Sequence, residues 1–150
     1  MELNLDVKLI FALLNGKVSA AIHHKLQEDF TASGLDITPE VWTVLLCLDE
    51  DGGMTQLMLC NKTFMGKSVI SRLLDRMEGM RLVKRESNAG DKRSNIIRLT
   101  GQGHLLKIKA QKVANRTLRD ALRGLGHESL IITQDVLRQV FCNIVGSPNS

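Results

Sequence analysis

The sequence predicts a mostly α-helical fold in which about six helices are interrupted by one small β-hairpin. Three observations carry that reading. Apolar residues recur at spacings of three and four along most of the chain, the signature of helices with one buried face. A single stretch between residues 82 and 99 changes to two β-rich segments flanking a turn. The 150 residues are 43% apolar with only two prolines, which suits one domain with a sizeable core and excludes a linker-rich or fibrous chain.

The first helix is expected from Leu3 to about Phe30, where Val7, Ile10, Phe11, Leu14, Val18, Ala21, Ile22 and Leu26 keep helical spacing. Thr31-Ala32-Ser33-Gly34 breaks it. Thr38 is suited to cap the second helix and Pro39 to occupy its first position, with Val41, Val44, Leu45 and Leu48 inward and Asp51-Gly52-Gly53 as the stop. Thr55 caps a short third helix through about Asn61. Thr63-Phe64-Met65 then leads to a fourth near Gly66–Met80, whose apolar stripe is Ile70, Leu73, Leu74 and Met77. The hairpin pairs Leu82–Glu86 with Ser94–Leu99 across Asn88-Ala89-Gly90-Asp91. Thr100 opens a fifth helix ending near Arg123 at Gly124 or Gly126. A sixth runs from His127 to Val145, and Gly146–Ser150 reads as a frayed tail.

Charge is unevenly distributed. Residues 1–53 hold three Lys/Arg against nine Asp/Glu, residues 54–100 ten against four, and residues 101–150 seven against three, for a net +4. A basic middle third points to a polyanionic partner. No apolar run approaches a membrane span, and the acidic start lacks the basic region of a secretory signal. The cysteines, Cys47, Cys60 and Cys142, are odd in number and widely spaced, so a reducing cytoplasm is expected and small buried hydrophobes are their simplest reading. His23, His24, His104 and His127 have no metal-ligand spacing, and no nucleophile, phosphate-loop or dinucleotide motif occurs. No catalytic residue, metal or cofactor is therefore expected.

Two short helices joined by a tight break and followed by a basic hairpin form a winged helix-turn-helix. The second helix of such a pair is narrow enough for the major groove of duplex DNA, where its outer face reads base edges. That face carries Ser68, Ser71, Arg72 and Arg76, while Lys67 is placed for a phosphate beside the free N–H groups that follow Gly66. At the hairpin tip, Asp91-Lys92-Arg93 offers an arginine to a narrow minor groove, with Asp91 spaced to orient its guanidinium.

The stretch Met54-Thr55-Gln56, then Gly66-Lys67-Ser68-Val69-Ile70-Ser71-Arg72-Leu73-Leu74-Asp75-Arg76-Met77-Glu78, Leu82-Val83-Lys84-Arg85, Asp91-Lys92-Arg93 and Ile97-Arg98-Leu99-Thr100-Gly101-Gln102-Gly103 resembles the MarR family of bacterial winged-helix regulators. The resemblance implies a cytoplasmic homodimer, with residues 1–36 and 101–146 as dimerisation helices around a DNA-binding lobe at 37–100. Ser68, Ser71, Arg72 and Arg76 would face the major groove and Arg93 the minor groove. Thr55, Gln56, Lys67 and Lys92 would touch the DNA backbone. The implied function is a sequence-specific regulator, a dimeric repressor on a pseudo-palindromic operator. A small aromatic or anionic effector would release it from a space that Phe11, Phe30, Trp42 and Met54 are placed to line. Three positions depart from the family pattern: Met58 replaces an acid, Thr63-Phe64-Met65 replaces a Leu-Gly-Val-like turn, and Arg81 stands where glycine precedes Leu-Val. Two other functions compete with this one. The chain would otherwise be a helical protein-interaction adaptor without DNA binding, or a thiol-based redox switch.

Overall fold

A computed structural model describes residues 16–91 and 93–146. The expected helix positions Val7, Ile10, Phe11 and Leu14, the tip residue Lys92 and the end of the tail lie outside the described residues. The element order is α1 (Val18–Ala32), α2 (Pro39–Asp51), β1 (Met54–Thr55), α3 (Gln56–Thr63), α4 (Lys67–Gly79), β2 (Val83–Ser87), β3 (Asn95–Leu99), α5 (Gly101–Ala121) and α6 (His127–Val145). The chain divides into two compact units, one reaching Leu118 and one from Arg119 onward.

Local chemistry sets most boundaries of the first unit. α1 runs past the expected break because Gly34, at φ 74°, closes a Schellman turn: Leu35 N–H donates to Phe30 O at 2.9 Å and Gly34 N–H to Thr31 O at 3.0 Å. Thr38 Oγ1 caps α2 by accepting from Val41 N–H at 3.3 Å, and left-handed Gly52 ends that helix. Thr100 Oγ1 caps α5 by accepting from Gly103 N–H at 3.1 Å.

The hairpin proves to be a three-stranded antiparallel sheet in the order β1-β3-β2. β1 pairs Met54 with Ile97 and Thr55 with Ile96. The sequence reading missed this strand because two residues are too few to show alternation. The core of this unit gathers Phe30, Val41, Val44, Leu45, Leu48, Met54, Leu59, Ile70, Leu74, Met77 and Ile97 with Ala110 and Ala114. α5 is tied to α1 by Thr117 Oγ1, which donates to Asp29 Oδ2 at 2.5 Å. It is tied to α2 by Lys107 Nζ and His104 Nδ1, at 2.7 and 2.9 Å from the Asp49 carboxylate. In the second unit, no residue of α6 is buried. No helix among the described residues is long and apolar enough to cross a membrane.

Candidate nucleic-acid interface

The site begins with α3. Thr55 Oγ1 accepts from Met58 N–H at 3.2 Å, so this hydroxyl works as the helix cap. Gln56 Nε2 donates to Lys67 O at 3.4 Å and links the starts of the two helices. Between them the chain turns at Phe64, whose φ of 56° is left-handed. Gly66 is extended and leaves the first N–H groups of α4 without a side-chain cap.

α4 buries Ile70, Leu74 and Met77 and half-buries Leu73, which is the expected stripe. The opposite side exposes Lys67, Ser68, Arg72 and Arg76, with Ser71 half-buried. Among the described residues Arg72 and Lys67 have no ion-pair partner. Arg76 lies 3.6 Å from Asp36, an exposed pair of little energetic weight that leaves its charge available.

α4 is attached to the sheet through Arg85, a feature the sequence reading missed. Its guanidinium donates to Asp75 at 2.7 Å and to Glu78 at 2.8 Å. The hydrogen bond it donates to Asp75 is the main cause that holds Arg85 above its ordinary pKa. The triad pairs the two acidic side chains of α4 with Arg85, so the cations of the outer face are less opposed. Two acids three residues apart on a helix, with an arginine in the middle of the following strand, are the signal that was present. Along the sheet, Arg98 bonds to Glu86 at 2.7 Å and to the Gly52 carbonyl.

At the wing tip, Asn88 Oδ1 accepts from Gly90 N–H at 3.1 Å and Asn88 Nδ2 donates to Ser94 Oγ at 3.1 Å. Asp91 requires a correction. Its carboxylate accepts the backbone N–H of Arg93 at 2.9 Å and does not hold the guanidinium. A carboxylate two residues before an N–H closes a local turn more readily than it reaches a long side chain. Asp91 therefore shapes the loop, and the Arg93 side chain is exposed without an ion pair among the described residues.

The residues expected around an effector are placed differently. Phe30 and Met54 are fully buried core residues. Phe30 packs edge-on against half-buried Trp42, with ring centroids 6.0 Å apart. Phe11 lies outside the described residues. The three cysteines form no disulfide and are half-buried.

This geometry can be set beside known proteins. Residues 35–94, spanning α2 to the wing tip, match the family model described as MarR family. Over that lobe the chain is similar to the MarR family. Transcriptional regulator HosA of Escherichia coli is 26% identical over 105 residues, which is 70% of this chain and 78% of HosA. AbsC, a MarR family transcriptional regulator from Streptomyces coelicolor, has the same fold with a TM-score of 0.81 at 24% identity, over 98% of this chain and all of AbsC. A mutant of MarR from E. coli complexed with operator DNA aligns with a TM-score of 0.79 at 22% identity, over 92% of this chain and 99% of that one. Phe64 and Arg81, two of the departures from the MarR pattern, are the only non-glycine residues with positive φ among those described.

Proposed function

We propose that this chain is a sequence-specific, DNA-binding transcriptional regulator that works as a dimeric repressor and is released by a small ligand. The observation that carries the reading is the outer face of α4. Ser68 and Arg72 stand exposed on a helix whose other side is locked in the core, with the basic wing on the same lobe. Arg72 suits bidentate contact with a guanine edge, and Ser68, Ser71 and Arg76 extend the reading face. Lys67, Gln56 and the N-terminus of α4 face a phosphate, Thr55 serves through the backbone it caps, and Lys92 adds charge at the tip. Arg93 enters the minor groove from a loop that Asp91 shapes. The E. coli MarR structure with operator DNA, which shares this fold, favours the same use of the lobe.

The dimer reading rests on α6. Ile131, Ile132, Val136, Leu137 and Ile144 are exposed on a helix with no buried residue, more apolar surface than a lone helix keeps in water. A second copy is the simplest cover, and its two-fold would be mirrored in the operator. For the ligand, Trp42 Nε1 is buried without a hydrogen-bond partner among the described residues, and an acceptor on a small aromatic or anionic molecule would satisfy it.

Selection of bound sites from a random duplex pool tests the reading. The expected result is a pseudo-palindrome with half-sites about one helical turn apart. Recovery of unselected sequence, or sedimentation as a monomer at micromolar concentration, would overturn the sequence-specific dimer.

A further inference from the structure

A cleft of about 970 Å³ opens between the α3–α4 turn and the wing. Its lining includes Leu57 and Phe64, exposed by 70% and 67%. Both expose apolar surface to water, and Phe64 does so in a left-handed backbone that a bulky L-residue adopts under strain. Strain of this kind clusters at functional sites. Lys67, from the start of α4, and Arg93, from the wing, line the same cleft and have no ion pair among the described residues. The other guanidinium on the lining, Arg85, is already answered by Asp75 and Glu78.

The lining also holds Asp91, whose carboxylate is engaged by the Arg93 N–H, so Lys67 and Arg93 leave the rim net cationic; this lining, set between a helix suited to the major groove and a wing suited to the minor groove, matches one part of duplex DNA. The sugar–phosphate strand that separates the two grooves carries phosphates for the rim and apolar deoxyribose faces for the lining. Lys67 and Arg93 alone would account for attraction of phosphate, but they leave the two exposed apolar side chains without a use.

We propose that Leu57 and Phe64 form a non-ionic contact with the deoxyribose strand crossing this cleft, so that the strained turn contributes affinity for DNA of any sequence. The inference rests on the DNA-binding reading above.

The test measures binding of wild type, Phe64→Gly, Leu57→Ser and Lys67→Ala to a selected operator and to random duplex over a salt series. Phe64→Gly removes the aromatic ring and the strain together, so thermal unfolding should show a fold at least as stable as wild type. Its affinity should nonetheless fall about tenfold on both duplexes with the salt slope unchanged. Leu57→Ser, at an exposed helix position, should give the same signature in smaller degree. Lys67→Ala should instead reduce the salt slope by about one. Replacing operator thymines by deoxyuridine should leave the Phe64→Gly effect as it was. A defect that disappears at one such position would assign the ring to a thymine methyl and overturn the sugar contact. If Phe64→Gly and Leu57→Ser both bind as wild type does, the proposal fails and the DNA-binding reading stands. If wild type shows no salt-dependent binding to duplex, both fail.

Discussion

At the C-terminal end of α4, Arg81 sits at φ 59°, and at the turn before that helix Phe64 sits at φ 56°. The strain is alike and the settings are opposite. Arg81 closes a Schellman motif, in which Leu82 N–H donates to Met77 O and Arg81 N–H to Glu78 O, both at 2.9 Å. Buried Leu82 and Met77 supply the apolar contact of that motif. The Arg81 carbonyl accepts from Thr100 Oγ1 at 2.6 Å, and the Leu82 carbonyl accepts from Thr100 N–H at 3.0 Å. Gly103 packs so closely beneath that a Cβ there would overlap the Leu82 carbonyl. Thr100 and Gly103 of the Leu-Thr-x-x-Gly run are thus the lock on the root of the wing. Phe64 differs in its setting: its side chain is exposed, and beside it Thr63 Oγ1 accepts from Met65 N–H at 3.3 Å. A strained residue over-determined by its neighbours is structural, whereas one held at the surface is available for contact.

That contrast breaks most readily at Gly103. Gly103→Ala forces the first turn of α5 away from Leu82 and should cost about 3 kcal/mol, the upper end of overpacking, in denaturant unfolding. Thr100→Val keeps the shape but loses the cap and the bond to Arg81, and should cost about 1–2 kcal/mol by the same measurement. Arg81→Gly relieves the strain within an intact lock and should gain about 0.5–1 kcal/mol while leaving DNA affinity unchanged. If Arg81→Gly weakens DNA binding as much as Phe64→Gly does, the two turns are not different in kind.

The smallest effect is one of pH. Asp29 is held below its ordinary pKa chiefly by the hydrogen bond from Lys25, then by that from Thr117, and Asp49 chiefly by that from Lys107. Carboxylates depressed in the folded state contribute stability that is full above their unfolded pKa, near 4, and is lost as pH falls through the lower folded value. Asp49→Asn should therefore destabilise by less than about 1 kcal/mol at pH 7 and flatten the acid limb of a stability–pH curve. An unchanged acid limb would place the linkage elsewhere.

Much of the fold was legible where a single local rule dominates. Thr38-Pro39 marked the start of α2, and Ile70, Leu73, Leu74 and Met77 marked the buried side of α4. The two-residue strand β1 was not legible, because its pairing is decided by β3 forty residues away. Phe30 and Met54 were ambiguous for a related reason: apolar residues at helical spacing read alike whether they fill a core or line a cavity. Phe64 and Arg81 were visible as departures from a pattern, but only the backbone reveals that both keep the left-handed geometry glycine would have adopted freely. At the interface, Arg72 and Lys67 were legible as exposed cations. The target of Asp91 and the Arg85 triad were not, since both depend on which of several charged neighbours lies within reach.

The central claim is that α4, held between these two turns, reads base sequence. Its most direct test is the affinity of wild type and Arg72→Ala for a selected operator and for random duplex at one fixed salt concentration. The account predicts a loss of about 1–3 kcal/mol on the operator and little change on random DNA. An equal loss on both would make Arg72 a backbone contact and contradict the reading face.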